Sequence, residues 1–395
     1  MKKALIVTHV SGFLLKFCMN DVEILQKMGY EVHYASNRNE KGYLYEETQL
    51  SERNIIFHHV DIARSPYMFK MNFQALKQLI KIINEENIQL IHCHTPVGGM
   101  LGRLAGRFCS LKKKPKVIYT AHGFHFFKGA PLLNNTIFYS VEKLLAPFTD
   151  AIVVINEEDY INARKLHLRK GGRVYKMPGV GIDRERFFPA DEEEKQSLRK
   201  KFQIPEDVFM ILSVGELNEN KNHKVVLDAV QKIKKTEEVT GRNEKICYGI
   251  CGDGFFRNEI RDYAAKLGIN SRVFFWGYCH DIRQYYAMAD LTIFPSIREG
   301  LGMAGIESLA MGIPVLAADN RGTREYMVNG KNGFVYNCRD VDGFLRGIYS
   351  IKNMSADERN QMKKYCCESV EKFDTKYARQ MLQKIYKETE RAMQK

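Results

Sequence analysis

Leu291-Thr292-Ile293-Phe294-Pro295-Ser296-Ile297-Arg298-Glu299-Gly300-Leu301-Gly302-Met303-Ala304-Gly305-Ile306-Glu307 passes from an apolar run, through a loop of small residues, to a second acidic position. The run 291–294 reads as a buried strand ending near Phe294, and a helix is expected to start near Gly302. Glu299 then lies in the loop and Glu307 about five residues into the helix. At about 1.5 Å of rise per residue, both carboxylates can line one elongated ligand, such as a nucleotide joined to a sugar. Carboxylates suit that task because they accept hydrogen bonds from vicinal hydroxyls. Unpaired N–H groups at a helix start attract phosphate.

The same strand-then-helix alternation runs through the whole chain. In the first half, strands are expected at 4–8, 31–35, 55–58, 90–93, 117–121, 151–155 and 173–176, with helical patterns at 73–84, 98–109, 136–147 and 157–166. In the second half, strands are expected at 209–214, 246–251, 273–276, 291–294, 315–317 and 333–336, again with helices between. Alternation of this kind implies parallel, doubly wound sheets, an α/β architecture. Pro178-Gly179-Val180-Gly181-Ile182-Asp183, then Phe188-Pro189-Ala190 and the acidic 191–194, break the rhythm and read as a linker. The expected domains are therefore 1–183 and 190–374. Residues 355–395 read as polar and helical.

A chain of 395 residues is too long for one ordinary core and fits two domains. No apolar run approaches the ~18 residues needed to span a bilayer. Met1-Lys2-Lys3 and the apolar residues after it mimic a signal start, but the pattern breaks at Thr8-His9 and reads better as a first buried strand. Nine cysteines include no C-x-x-C pair, and the count is odd, which favours a reducing, cytoplasmic compartment. Of the net charge of +13, residues 1–189 contribute +10 and the remainder +3. That asymmetry favours an anionic partner for the first half, such as a membrane surface or phosphorylated lipid. No zinc-finger, helix-turn-helix or RNP-type pattern is present, so nucleic acid is not expected as a partner.

The flanks of the acidic pair carry a resemblance. Glu299-x7-Glu307 with Gly300 and Gly302, followed by Gly312-Ile313-Pro314, resembles the nucleotide-sugar site of retaining glycosyltransferase family 4, of the kind found in bacterial capsule and exopolysaccharide biosynthesis. Ile91-His92-Cys93-His94-Thr95-Pro96, the 119–126 run Tyr-Thr-Ala-His122-Gly-Phe-His125-Phe, Gly215-Glu216-Leu217-Asn218-Glu219-Asn220-Lys221-Asn222 and Asp319-Asn320-Arg321-Gly322 extend it along nearly the whole chain. The resemblance implies a GT-B fold: two facing Rossmann-like domains, with a C-terminal helix (about 375–395) crossing back to the N-terminal, acceptor-side domain. It implies transfer of a sugar, with retention, from a nucleotide-sugar to a lipid-linked saccharide. By family frequency the carrier is uridine diphosphate. The localisation it implies is cytoplasmic, peripheral on the inner face of the cell membrane.

The resemblance assigns residues in turn. Glu307 would hold the ribose hydroxyls, and Glu299 would hydrogen-bond the transferred sugar within the Gly300-Leu301-Gly302 loop. Lys221, after Gly215 and at a helix start, is the expected phosphate contact. The family often places arginine directly after the glycine, where this chain has Glu216, and Arg298 is the expected substitute cation. Gly252, Asp253 and Gly254 would turn beside the nucleotide, with Tyr278 flanking the base. In the first half, His122 ends a strand-like run and would face the donor sugar as a catalytic group, with Gly12 in the loop nearest the diphosphate. The transition state is oxocarbenium-like, with charge growing on a diphosphate leaving group. His92, His94, His122 and His125 suggest a metal cluster, but residues 92–94 alternate faces on a strand, so no metal and no cofactor are expected.

Two other readings share the architecture: a nucleotide-sugar 2-epimerase, which needs no acceptor, and a non-catalytic nucleotide-sugar-binding protein. A dinucleotide-binding dehydrogenase is excluded by its missing fingerprint. The first strand leads into a loop with the single Gly12, and Gly252-Asp253-Gly254 has Arg257 in place of the third glycine.

Overall fold

The computed structural model describes residues 1–40 and 47–391. The chain folds as two compact units, Met1–Gly181 with Lys376–Lys395, and Ile182–Thr375. The returning segment is expected to run to residue 395; positions 392–395 lie outside the described residues.

The first unit is built on a seven-stranded sheet in the order β3-β2-β1-β4-β5-β6-β7. The strands are β1 Lys2–Val10, β2 Tyr30–Asn37, β3 Ile55–His59, β4 Leu90–His94, β5 Lys116–Ala121, β6 Ala151–Val154 and β7 Arg173–Lys176. Every pairing is parallel. Parallel strands covered on both faces are continuous apolar runs rather than alternating ones. That is how Leu5, Ile6 and Val7 come to be wholly buried on β1. The helices Phe69–Glu85 and Pro96–Phe108 drive Ala75, Leu79, Ile83, Leu101 and Ala105 into one core with Ile91, Val117 and Ile152 of the sheet. Arg103 is fully buried in that layer, bonded to Glu142 at 2.6 and 3.2 Å and stacked 4.2 Å from the Tyr119 ring. Removing either charge leaves the other buried and unpaired, a loss of about 3–5 kcal/mol.

The second unit holds a six-stranded parallel sheet in the order β10-β9-β8-β11-β12-β13. Its strands are β8 Phe209–Val214, β9 Ile246–Cys251, β10 Val273–Gly277, β11 Leu291–Phe294, β12 Val315–Ala318 and β13 Gly333–Tyr336. In each sheet the winding direction reverses beside the first strand, between β1 and β4 and between β8 and β11. Open α/β sheets bind ligands at the carboxyl edge of such a reversal.

Two expectations are corrected. The acidic run 191–194 is not linker: Asp191 caps the helix Glu192–Lys201, accepting from the Glu194 amide at 2.8 Å, and the acidic residues fill its first turn. They favour that position because the helix dipole is positive there. The stretch 355–391 is helical as expected, in two helices, Ala356–Ser369 and Thr375–Arg391, with a 3-10 turn at Glu371–Phe373 between them. His92 and His94 do not diverge: period-two pleating puts them on one face, with ring centroids 4.2 Å apart.

Candidate active site

In the second unit, the loops leaving β8 and β11 meet at the carboxyl edge. Beyond β8 the backbone turns at Gly215, and Gly252 of the neighbouring strand end lies so close that a Cβ there would stand 1.8 Å from the Gly215 carbonyl oxygen. Only glycine permits that approach. Asn218 then caps the short 3-10 turn Glu219–Lys221, accepting from the Lys221 amide at 3.1 Å. Asn220 clasps the second loop, donating to the Arg298 carbonyl at 3.0 Å and accepting from its amide at 3.2 Å. Asn222 adopts φ 53° and donates to the Pro295 and Cys338 carbonyls at 3.3 and 2.7 Å.

This clasp brings together two residues 78 apart in sequence. Lys221 Nζ lies 2.6 Å from Glu299 Oε1 and 5.0 Å from the centre of the Phe294 ring. Both side chains are mostly buried, 20% and 15% exposed. A cation and a carboxylate thus stand side by side, one suited to a phosphate oxygen and the other to a sugar hydroxyl. Gly302 takes φ 89° and opens the helix Met303–Ala310, whose first turn receives no side-chain cap. Glu307 is half-buried on that helix, and the Tyr286 hydroxyl lies 3.1 Å from its Oε2 and 2.9 Å from the Ala304 carbonyl. Gly300 and Leu301 continue the loop, Leu301 buried.

The remaining candidates sit less centrally. Asp253 closes its own turn, accepting from Gly254 N at 2.9 Å and pairing with Arg257 at 3.2 Å. Tyr278 follows β10, next to that turn through the Gly252 amide and Gly277 carbonyl bond of 2.7 Å, and is 53% exposed. Arg298 is exposed, and among the described residues it is its backbone that holds it. The cation drawn under the carboxylate loop is Arg321, which is 9% exposed with Nε 3.4 Å from the Glu299 carbonyl. Its motif is visible in the sequence, but its approach to Glu299 is not. Tyr286 gave no signal, since a tyrosine in a helix reads as core. A larger pocket of about 290 Å³ lies at the opposite, amino edge, bordered by Phe209, Asp290 and Pro314 and reached by Tyr286.

In the first unit, the carboxyl ends of β1, β4 and β5 assemble a histidine cluster. Gly12 has an ordinary φ of −71° and caps the helix Phe13–Phe17. The Phe13 ring packs edge-on to His122 at 5.3 Å. His122 Nε2 is 3.2 Å from His94 Nδ1, and His94 Nε2 is 3.7 Å from Cys18 Sγ. Behind them His92 bonds Thr120 through Nε2 at 2.8 Å and faces Tyr386 OH and Asp21 Oδ1 through Nδ1 at 2.6 and 3.0 Å. Burial pushes the His122 pKa down to about 4 and that of His94 well below its usual value; burial likewise pushes the Cys18 thiol up. A cavity of about 20 Å³, room for one water, is lined by Asp21, His94, Thr120 and His122. His125 instead packs on Phe138 at 4.9 Å.

Two groups among the described residues have metal-ligand spacing: Cys18, Asp21 and His94, and His33, His58 and Glu86. In the first, Asp21 already accepts from Tyr386 at 2.8 Å, and the thiol would have to ionise out of contact with water. In the second, Glu86 is held by the Lys3 ammonium at 2.6 Å.

Residues 2–156 match the family described as Glycosyl transferase 4-like, and residues 194–368 match Glycosyl transferases group 1. EpsD of Bacillus subtilis (strain 168), assigned by name to the glycosyltransferases, is 39% identical over 350 residues, covering 89% of this chain and 87% of its own length. The UDP-Gal:alpha-D-GlcNAc-diphosphoundecaprenol alpha-1,3-galactosyltransferase of Escherichia coli is 25% identical over 74% of this chain and 75% of its own length. Among solved structures, HepE of Anabaena in complex with UDP-glucose superposes with a TM-score of 0.77 at 16% identity, covering 98% of this chain and all of that one. With both sheets wound as the fold requires and the matches spanning both units, the chain is a glycosyltransferase of the group 1, family 4 type with the GT-B fold, akin to enzymes of bacterial capsule and exopolysaccharide synthesis.

Proposed function

We propose that this enzyme transfers a sugar, with retention, from a UDP-sugar to a lipid-linked saccharide during synthesis of a capsular or extracellular polysaccharide. The observation that carries the reading is the Lys221–Glu299 pair at the β8/β11 reversal, with Glu307 held one helical step away by Tyr286. In this reading Lys221 and the uncapped amides at Met303 meet the diphosphate, Glu299 the transferred sugar and Glu307 the ribose. The Gly252–Gly254 turn and Tyr278 border the base. Arg321, rather than Arg298, is the second cation. His122 bonds the transferred sugar. The uridine carrier and the diphospholipid acceptor are supported by what the Escherichia coli relative is named for and by the ligand of HepE.

The enzyme works without a metal in this reading: two side-chain cations and helix amides do the work of a divalent ion on the leaving diphosphate. It also works at an anionic lipid surface, on the inner face of the cell membrane. Phe69 and Phe73 are 75% and 61% exposed on one helix, and Leu132 and Leu133 85% and 69% on another, with Lys70, Lys77 and Lys143 on the same two helices. No helix among the described residues is long and apolar enough to cross a membrane.

Glu307→Gln tests the core of the proposal. It keeps the shape but exchanges a charged acceptor for a neutral amide, so donor kcat/KM should fall about 10- to 100-fold, the loss of one charge-assisted hydrogen bond. The assay, run in EDTA with UDP-sugar and lipid-linked acceptor, should show wild-type transfer undiminished by the chelator. Transfer by Glu307→Gln at the wild-type rate would sink the assignment. Conversion of the donor without acceptor would favour the epimerase.

A further inference from the structure

His92-Cys93-His94 leaves one question that the proposed reaction does not answer: which nitrogen of His122 carries the proton. A neutral imidazole has one donor and one acceptor nitrogen, and its neighbours decide which is which. Cys18 is fully buried, and its thiol keeps its proton because a thiolate there would be desolvated and close to Asp21. Among the described residues, the acceptor found for that S–H is His94 Nε2 at 3.7 Å. His94 is 2% exposed and is neutral, its charged form opposed by burial and by His92 and His122. With Nε2 accepting, His94 carries its proton on Nδ1 and donates it to His122 Nε2 at 3.2 Å. His122 Nε2 is then the acceptor, so its own proton sits on Nδ1. The opposite sense would have His94 donate to sulfur, a weak acceptor, and would leave the buried S–H without a partner.

A parallel chain stands behind it. Tyr386 donates to Asp21 Oδ1 at 2.8 Å, His92 Nδ1 faces that pair, and His92 Nε2 lies 2.8 Å from the Thr120 hydroxyl. His92 and His94 stand side by side on β4. Their rings lie 4.2 Å apart, which holds His94 in register.

We infer that Cys18 and His94 are positioning residues that fix the His122 proton on Nδ1, so that His122 offers its ligand an N–H donor rather than the lone pair of a base. The ligand atom this recognises is an acceptor oxygen, a hydroxyl of the transferred sugar. The inference deepens the glycosyltransferase reading and rests on it for the identity of that oxygen. The tautomer itself is independent of any activity.

The test is long-range proton–nitrogen correlation NMR on the full chain with ¹⁵N-labelled imidazoles, His122 being assigned by the signals lost in His122→Gln. The expected wild-type pattern for His122 is a pyrrole-like Nδ1 and a pyridine-like Nε2. Cys18→Ser, which keeps a donor, should preserve it. Cys18→Ala should shift His122 toward the Nε2–H form and lower kcat/KM about tenfold, the loss of one oriented hydrogen bond. His122 protonated on Nε2 in the wild type would overturn the inference, and that measurement needs no variant. So would identical spectra for Cys18→Ala and Cys18→Ser, or one equivalent of zinc retained by wild type and released in Cys18→Ala, which would make the thiol a metal ligand. If the tautomer is as expected but no sugar is transferred, the inference stands and the functional reading fails.

Discussion

Tyr286 has one hydroxyl proton and two acceptors, the Ala304 carbonyl at 2.9 Å and Glu307 Oε2 at 3.1 Å, and is itself fully buried. A carboxylate draws that proton more strongly than a carbonyl, so the tyrosine orients Glu307. Tyr286→Phe leaves the packing intact and should weaken UDP binding roughly fivefold to tenfold, on the order of one hydrogen bond, as read by calorimetry; unchanged affinity would show that Glu307 needs no such guide. At the other end of the site, Ser213 donates to Ile293 O at 2.8 Å and Tyr248 donates to Ser213 at 2.9 Å, so His223 must donate from Nδ1 to Tyr248 at 3.0 Å. Its Nε2 is buried without a partner among the described residues, and burial, then the Lys221 charge, lowers its pKa to about 3. The unfolded chain takes up this proton near pH 6.5 while the native one does not until about pH 3. Stability from this group is therefore complete above pH 6.5 and lost as pH falls toward 3, reaching about 2 kcal/mol by pH 5. A plot of denaturant midpoint against pH should be flatter across that window in His223→Asn; parallel slopes would refute the assignment.

Among the elements, the helix Phe69–Glu85 is divided along its length. Ala75, Leu79 and Ile83 face the core, while Phe69 and Phe73, with Lys70 and Lys77, face outward. Aromatic side chains beside lysines are the composition of a surface that sits at the headgroup level of an anionic leaflet. Replacing Phe69 and Phe73 together by serine should leave stability within about 0.5 kcal/mol, as usual for exposed positions, and reduce co-sedimentation with anionic liposomes severalfold. Binding of the wild type should also weaken as salt rises. Equal partition of wild type and double variant would move the membrane contact elsewhere. The helix Leu132–Leu145 turns its own exposed pair, Leu132 and Leu133, outward at its first turn, while Glu142 anchors its far end to Arg103.

For the molecule as a whole, the first unit is not continuous in sequence. Leu382, Ile385 and Tyr386 of the last helix are buried in it, Tyr386 bonds Asp21 and His92, and Arg379 donates to Asn20 at 2.7 Å. A chain ended after residue 375 uncovers the buried histidines and an apolar stripe about three turns long. It should lose the thermal transition of the first unit while keeping UDP-dependent stabilisation of the second, since ligands raise the apparent stability of the unit that binds them. Loss of both together would mean that the two units do not fold independently.

The strand runs were legible because a parallel strand buried on both faces is nearly continuously apolar, and 209–214, 246–251 and 291–294 are so apart from Ser213 and Thr292. The helix start at Gly302 was equally readable, since a left-handed φ before an apolar run favours glycine. The Glu192–Lys201 helix was missed although Asp191 and Glu194 stand at capping distance, because an acidic run also reads as solvated chain. What the residues could not state is which charges meet. The 2.6 Å contact of Lys221 with Glu299, the approach of Arg321 to that loop, and the line from Cys18 through His94 to His122 join positions tens of residues apart. Sequence determined the periodicity of each element, which is a local property of burial. Only the order of strands in each sheet decided which loop ends share an edge, and hence which side chains stand within hydrogen-bonding reach.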